Sequence, residues 1–377
     1  MSRQFPETLG IEEEYLLVDR ATRELAKDPP PELLAECQRR HKEQVSPEFL
    51  RSQIEVGTTV CTSVQQAVAQ LKTMRKTIAE VAAQYGLAPI AASTHPFARW
   101  RDQKHTSKAR YATLLGELQG VARRLVICGM HVHVGVDDPN LRIDLMNQVK
   151  YFLPHILSFS TSSPFWCGVE TGLKSYRLTI FDNLPRTGLP EFFQSYSEYQ
   201  HYAQTMIKAG LIDETSKLWW DIRLSARFPT LEMRISDVCT SVEDSGAVAA
   251  LYLCLMGYLD HLRRHNQSWR VYSNSMIKEN RWRAQRYGLD QGLVDFGDQA
   301  IEEWPDMLTD LEEILMDQAI KLDCVNEFKH LRTILERGTS AHRQVAIYHQ
   351  ALSDGASDQE ALCAVVDWLI EETVRGL

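Results

Sequence analysis

GIEEEYLLVD, residues 10–19, opens an apolar run with three consecutive glutamates. Side chains along a β-strand alternate between its two faces, so a strand here projects Glu12 and Glu14 together from one face. Three other stretches repeat the device. In CGMHVHVGV (128–136), His131 and His133 are two apart. In QIEVGTTV (53–60), Glu55 stands in an otherwise uncharged strand. In TLEMRISD (230–237), Glu232 and Arg234 share a face. A lone strand glutamate usually faces water, and histidines often pack in cores. Four such strands in one chain point instead to a shared site. Charges converging on one sheet face repel unless cations sit among them. Carboxylates with one or two imidazoles suit Mg²⁺, or Mn²⁺, better than Zn²⁺. An arginine beside a ligating glutamate matches phosphate geometry, which makes ATP chemistry the leading expectation.

Working outward, β-rich runs recur at residues 10–18, 53–60, 88–93, 125–136, 177–181 and 230–238. Between the second and third of these, Ser63 with Gln66 forms a capping box. Val64, Val68, Leu71, Ile78, Val81 and Tyr85 then follow helical spacing until Gly86, predicting a helix over 63–85. Beyond about residue 240, Val248, Leu251, Leu255, Leu259 and Leu262, then Trp304, Leu308, Leu311 and Leu315, keep helical periodicity. Segregated strands and helices predict an α+β fold. No repeat or linker is visible, so residues 1–377 read as a single domain, strand-rich to about 240 and helical over 241–377.

The composition is that of a soluble globular chain: 377 residues, 44% hydrophobic, net charge −9. The eight cysteines form no C-x-x-C pair and read as reduced core residues. The N-terminus lacks the pattern of a signal peptide, and the apolar run at 247–259 is short for a bilayer, so a cytoplasmic protein with no membrane partner is expected. Residues 261–288 carry seven basic side chains (Arg263, Arg264, Arg270, Lys278, Arg281, Arg283, Arg286) against Glu279. Interleaved aromatics there could bind nucleic acid, but the acidic remainder ranks that last, behind an edge of an ATP site or a solvated face paired with acids. The seven acids of 302–317 alternate with the Trp304–Leu315 stripe and read as an exposed helix face.

G-x-G-x-x-G, H-E-x-x-H and G-x-S-x-G are absent, and GVETGLKS (168–175) is one residue short of a phosphate loop. The ordered set GIEEEYLLVD, SQIEV, ASTHPFARW, GMHVHVGV, SPFWCGVETGLKSYR, LPRTGLP, WWDIR, TLEMRISD and NRWRAQRYG, however, resembles the carboxylate–amine ligases related to glutamate–cysteine ligase, type 2 group, over nearly the whole chain. The resemblance implies a glutamine synthetase-like fold: a curved, mainly antiparallel sheet holding Mg²⁺ and ATP on its concave face, with helices outside. It implies that ATP phosphorylates the γ-carboxylate of glutamate and that an amine, classically that of cysteine, attacks the acyl phosphate. It implies Glu14 and Glu55 at one metal, Glu12, His131 and Glu232 at the other, and Glu48 as a further acid. It implies Arg234 on the transferred phosphoryl group, His133 as a site-lining group, and Arg177, Arg223 and Arg283 on substrate carboxylate or phosphates. Relatives that dimerise imply a homodimer acting on small molecules. A metal-dependent hydrolase built on His131 and His133, and a non-catalytic glutamate or nucleotide binder, are the competing readings.

Overall fold

Apolar side chains at alternate positions of residues 9–19 draw one face of that strand into the core, and the rest of the sheet assembles on it. The computed structural model describes residues 5–107 and 109–377. The first four residues, part of the stretch inspected for a signal peptide, lie outside the described residues. The main sheet contains β1 (Leu9–Asp19), β2 (Val45–Pro47), β3 (Gln53–Gly57), β4 (Leu87–Ile90), β5 (Met130–Gly135), β6 (Ile222–Leu224) and β7 (Thr230–Met233). Their order is β6-β7-β5-β1-β3-β2, with β4 alongside the second half of β1. Every pairing in this sheet is antiparallel. The α+β expectation holds, but strands and helices are not segregated at residue 240 as expected: helices such as Pro31–His41, Val64–Ala83, Pro139–Val149 and Tyr196–Lys208 connect the strands before it, and a hairpin of Leu293–Asp295 with Ala300–Glu302 lies after it.

One face of the sheet, carrying Ile11, Tyr15, Ile54, Val56, Val132, Val134, Leu231 and Met233, is buried. It packs on the helices Val64–Ala83 and Val242–Arg264, and the second of these is covered in turn by Trp304–Lys321 and Val325–Arg337. A Cβ at Gly246 would sit 2.8 Å from Val68, so glycine is what lets the first two helices approach. Val242–Arg264 is long and apolar enough to cross a membrane, longer than the 247–259 run suggests, yet 89% of its apolar window is buried inside the fold. It is the central core helix.

Local chemistry explains most boundaries. Ser63 caps the Val64–Ala83 helix by accepting from the Gln66 N–H. The Gln66 side chain accepts from Thr62 N rather than Ser63 N, at 2.9 Å, so the capping box is half formed. The strand expected at 177–181 is instead a short helix, Arg177–Phe181. Ser163 holds its first turn, taking the Arg177 N–H on its hydroxyl and the Tyr176 N–H on its carbonyl, a tertiary contact that overrides β propensity. The strands β2 and β6 are too short to register as periodic runs.

The middle glutamate of the opening run points the other way. Glu13 is fully buried and paired with Arg75 of the Val64–Ala83 helix at 2.8 Å. Tyr15 Oη and Ser245 Oγ also donate to the Glu13 carboxylate. Arg75 donates further to the carbonyls of Thr240 and Cys239, at 2.6 and 2.9 Å. The pair thus ties the sheet to both core helices.

Two stability measurements follow. Glu13→Gln leaves a buried guanidinium without its countercharge and is expected to cost about 3–5 kcal/mol in urea unfolding. The double change Glu13→Leu/Arg75→Met should cost clearly less than the sum of its single changes, and strict additivity would show that the pair does not act as a unit. Separately, His95 accepts the N–H groups of Phe97 and Ala98 on Nδ1 and contacts Arg23 O through Nε2. Burial pushes its pKa down to about 4. The unfolded chain therefore takes up this proton first as pH falls below about 6.5, and stability is lost down to about pH 4, by on the order of 3 kcal/mol. His95→Gln should flatten the stability–pH curve across that window, whereas an unchanged slope would remove His95 as its source.

Candidate active site

The register of the sheet sets the site. Across β1 and β5, Glu12 faces His131. Across β1 and β3, Glu14 faces Glu55. Across β5 and β7, His133 faces Glu232, which itself faces Arg223 on β6. Directly opposed residues lie on one face, so the sheet delivers these seven side chains to the side away from the core helices. There they line a cavity of about 460 Å³, joined by Glu48, Arg177 and Arg234. Every site residue named from the sequence reaches this cavity except Arg283.

Charges within the cavity divide into two groups. On one side, His131 Nδ1 is 3.1 Å from Glu12 Oε2 and His133 Nε2 is 3.5 Å from Glu12 Oε1. Burial pushes the Glu12 carboxyl up, but the two imidazoles outweigh it and hold the group well below its usual range. Arg223 grips Glu232 with both fork arms, at 2.9 and 3.0 Å, and Arg234 Nη1 bonds the same carboxylate. These guanidiniums overcome burial and keep Glu232 ionised. Burial and then Arg234 push His131 down to about 4, so it is neutral and able to ligate. One donor atom each from Glu12, His131 and Glu232 lies within 4.8 Å of the others, the grouping that resemblance assigned to one metal.

On the other side carboxylates crowd one another. Burial and then the charge of Glu55 push Glu14 up to about 7. Burial, then Glu48 and Glu12, push Glu55 well above its usual range. Gly129 N–H donates to Glu14 at 2.8 Å. Acids crowded this way, facing a second set that includes a neutral imidazole, fit hard divalent cations such as Mg²⁺. A buried donor also points to a ligand: among the described residues, Arg234 Nε has no hydrogen-bond partner.

Arg283 is the correction. It bonds Gly292 O and stacks near Tyr287, away from the cavity. Residues 281 and 283 lie roughly 200° apart around a helix, and it is Arg281 that turns inward. Sequence reading also missed Gly129, Thr230, Lys217 and Phe228. A side chain at 129 would collide with the Arg177 guanidinium. Thr230 Oγ1 contacts His133 Nδ1 at 2.9 Å. Lys217 and Phe228 line the cavity from residues outside the strands, where no periodicity marks them. The basic run at 261–288 is partly neutralised in place: Arg263 pairs with Asp144, Arg264 with Asp260 and Arg281 with Asp182 and Asp221.

Cation binding to this cavity should stabilise the fold by mass action. Metal-stripped protein titrated with Mg²⁺ or Mn²⁺ is expected to gain several degrees in melting temperature, and Glu12→Gln or Glu55→Gln should abolish most of the gain. A gain that survives both substitutions would place the cation elsewhere.

Residues 8–364 match the family model described as glutamate–cysteine ligase family 2. A protein of Rhodospirillum rubrum named "Putative glutamate–cysteine ligase 2" is 56% identical over 98% of this chain and 96% of its own. One of the same name from Jannaschia sp. is 52% identical over 97% and 96%. Among solved structures, the glutamate–cysteine ligase of Francisella tularensis in complex with AMP aligns over 98% of this chain and 89% of its own, with TM-score 0.68 at 15% identity. The bifunctional glutathione synthetase of Pasteurella multocida aligns with TM-score 0.70 at 14% identity, over 98% of this chain, which spans about half (53%) of that larger one. The fold is shared with both, and the chain belongs to the glutamate–cysteine ligase family 2.

Proposed function

We propose that the protein is an ATP-dependent carboxylate–amine ligase that phosphorylates the γ-carboxylate of glutamate and lets an amine, cysteine or another amino compound, attack the acyl phosphate to give an amide, ADP and phosphate. The observation that carries this reading is the convergence of Glu12, His131 and Glu232 with Arg223 and Arg234 in one cavity. Family membership supports it over a hydrolase, whose metal site would keep an open water position among more His or Asp ligands than this one offers.

Glu12, His131 and Glu232 would hold one Mg²⁺, and Glu14 and Glu55, with Glu48 close by, another. Bound there, Mg²⁺ would neutralise phosphate charge during transfer. Arg234, with an unpartnered Nε beside this group, is placed to fork onto the moving phosphoryl oxygens. Arg177 is buried along the same wall, its Nη1 and Nη2 bonded to the carbonyls of Ile235 and Arg234 at 3.2 Å, and its charge suits a substrate carboxylate. No protein nucleophile is required, and the nearest thiol is unsuited to be one. Burial and the neighbouring Glu14 charge push Cys128 well above its ordinary range.

The test is phosphate release from ATP with Mg²⁺ and glutamate, with and without a panel of amines including cysteine, and products weighed by mass spectrometry. Amine-dependent release with a γ-glutamyl product is expected. Arg234→Lys keeps charge but loses the fork, and should lower turnover by about 10²–10³-fold with folding intact. Full turnover in that variant, or silence from folded wild type across the panel, would overturn the assignment.

A further inference from the structure

Behind the cavity wall lies a second arginine network that touches no part of the cavity. Arg281, on the helix Asn274–Tyr287, is only 7% exposed. Its Nε and Nη2 donate to Asp221 at 2.7 and 3.1 Å, and its Nη1 and Nη2 to Asp182 at 2.6 and 2.8 Å. One planar guanidinium therefore serves two carboxylates from different parts of the chain, which a lysine's point charge cannot do.

Each carboxylate leads to a site arginine. Asp221 immediately precedes β6, is 1% exposed, and its backbone carbonyl accepts the N–H of Arg234 at 2.8 Å. Asp182 closes the short helix that begins with Arg177, its own N–H bonded to Leu178 O at 2.8 Å. The Arg177 guanidinium then returns to the carbonyls of Arg234 and Ile235. The chain of contacts runs from Arg281 through Asp221 to the backbone of Arg234, and from Arg281 through Asp182 to the helix of Arg177.

We propose that Arg281 is a positioning residue for the reaction: by forking onto Asp182 and Asp221 it fixes the backbones that aim Arg177 and Arg234 into the cavity. The proposal rests on the ligase reading for its kinetic consequence, and on geometry alone for its structural one. A side chain displaced by about 1 Å costs on the order of 10²-fold in rate, so a clamp remote from substrate still governs turnover.

Two readouts test it in the full-length protein. In Arg281→Lys, amide hydrogen exchange of the peptide spanning residues 231–238 should speed up at least about tenfold while that of β1 is unchanged. Unaltered exchange would overturn the proposal whatever the protein catalyses. In phosphate release, Arg281→Lys should lower kcat about 10²-fold and leave the KM for ATP within about twofold. The same change made in an Arg234→Lys protein should lower kcat by less than about threefold, because the arginine through which the Asp221 arm acts on kcat is already lost. An equal factor in both backgrounds would mark Arg281 as merely structural and overturn the positioning role. Should Arg281→Lys fail to fold, Asp182→Asn unties only the more exposed carboxylate. It should loosen the 177–182 peptide in exchange and raise the KM for glutamate about tenfold, and no change in either would overturn the proposal. Wild type without glutamate-dependent release would sink the ligase reading and leave the exchange result to decide the clamp.

Discussion

The buried pair between Glu13 and Arg75 is the constraint on which the rest of the sheet depends. A strand has a period of two, so slipping β1 by one residue would exchange its faces. Glu12 and Glu14 would then enter the core and Glu13 would enter the cavity. Hydrophobic pattern alone resists this weakly at the start of the strand, where three glutamates follow one another. Arg75 resolves the ambiguity, because it accepts one carboxylate at one height between sheet and helix, and Tyr15 and Ser245 complete that carboxylate's hydrogen bonds. Buried ion pairs contribute little net stability compared with apolar packing, and fixing a register is their best-attested use.

Once β1 is in register, the electrostatics of the cavity follow from neighbours. β5 sets imidazoles against Glu12, and β3 sets a carboxylate against Glu14. The two glutamates, two residues apart on one strand, are therefore driven in opposite directions. Glu12 is held ionised by His131 and His133, and Glu14 is pushed up to about 7 by burial and Glu55. Burial acts on both, so it is the identity of the cross-strand partner that separates them.

How much of this was legible in the sequence depends on whether a residue's role is encoded locally. Alternation in residues 10–19, 129–136 and 230–237 exposed Glu12, Glu14, His131, Glu232 and Arg234, since a period of two needs only a few residues to show. The destination of Glu13 was hidden because its partner, Arg75, is 62 positions away on a helix whose pattern gives no sign of a buried charge. Arg177–Phe181 read as a strand because its β-branched and aromatic residues favour one, and the Ser163 contacts that turn it into a helix are tertiary. Arg283 and Arg281 sit in one basic run, and no charge count distinguishes them. Only the helix face, set by what packs on it, sends Arg281 to Asp182 and Asp221 behind the cavity wall and Arg283 to Gly292.

The unsatisfied atoms say which groups the fold holds in reserve. Arg223 and Arg234 both bind Glu232, but they are not equivalent. Arg223 spends its remaining arm on the carbonyls of Ser216 and Leu218, so each of its nitrogens is bonded and it acts as a fixed wall. Arg234 is buried with its Nε unpartnered, a condition that costs about 1–3 kcal/mol in a protein interior. A fold that tolerates such a donor beside a twin with every nitrogen bonded regains that energy only when an acceptor arrives. The acceptor must approach from the cavity, because Arg234's own backbone is already bonded to Asp221 and Arg177. On the proposed ligase reading, a phosphoryl group entering beside Glu12 and Glu232 would supply oxygens of the right charge and geometry. Arg223 thus holds Glu232 in place, while Arg234, bonded to the same carboxylate through Nη1, would still have its Nε to offer a ligand.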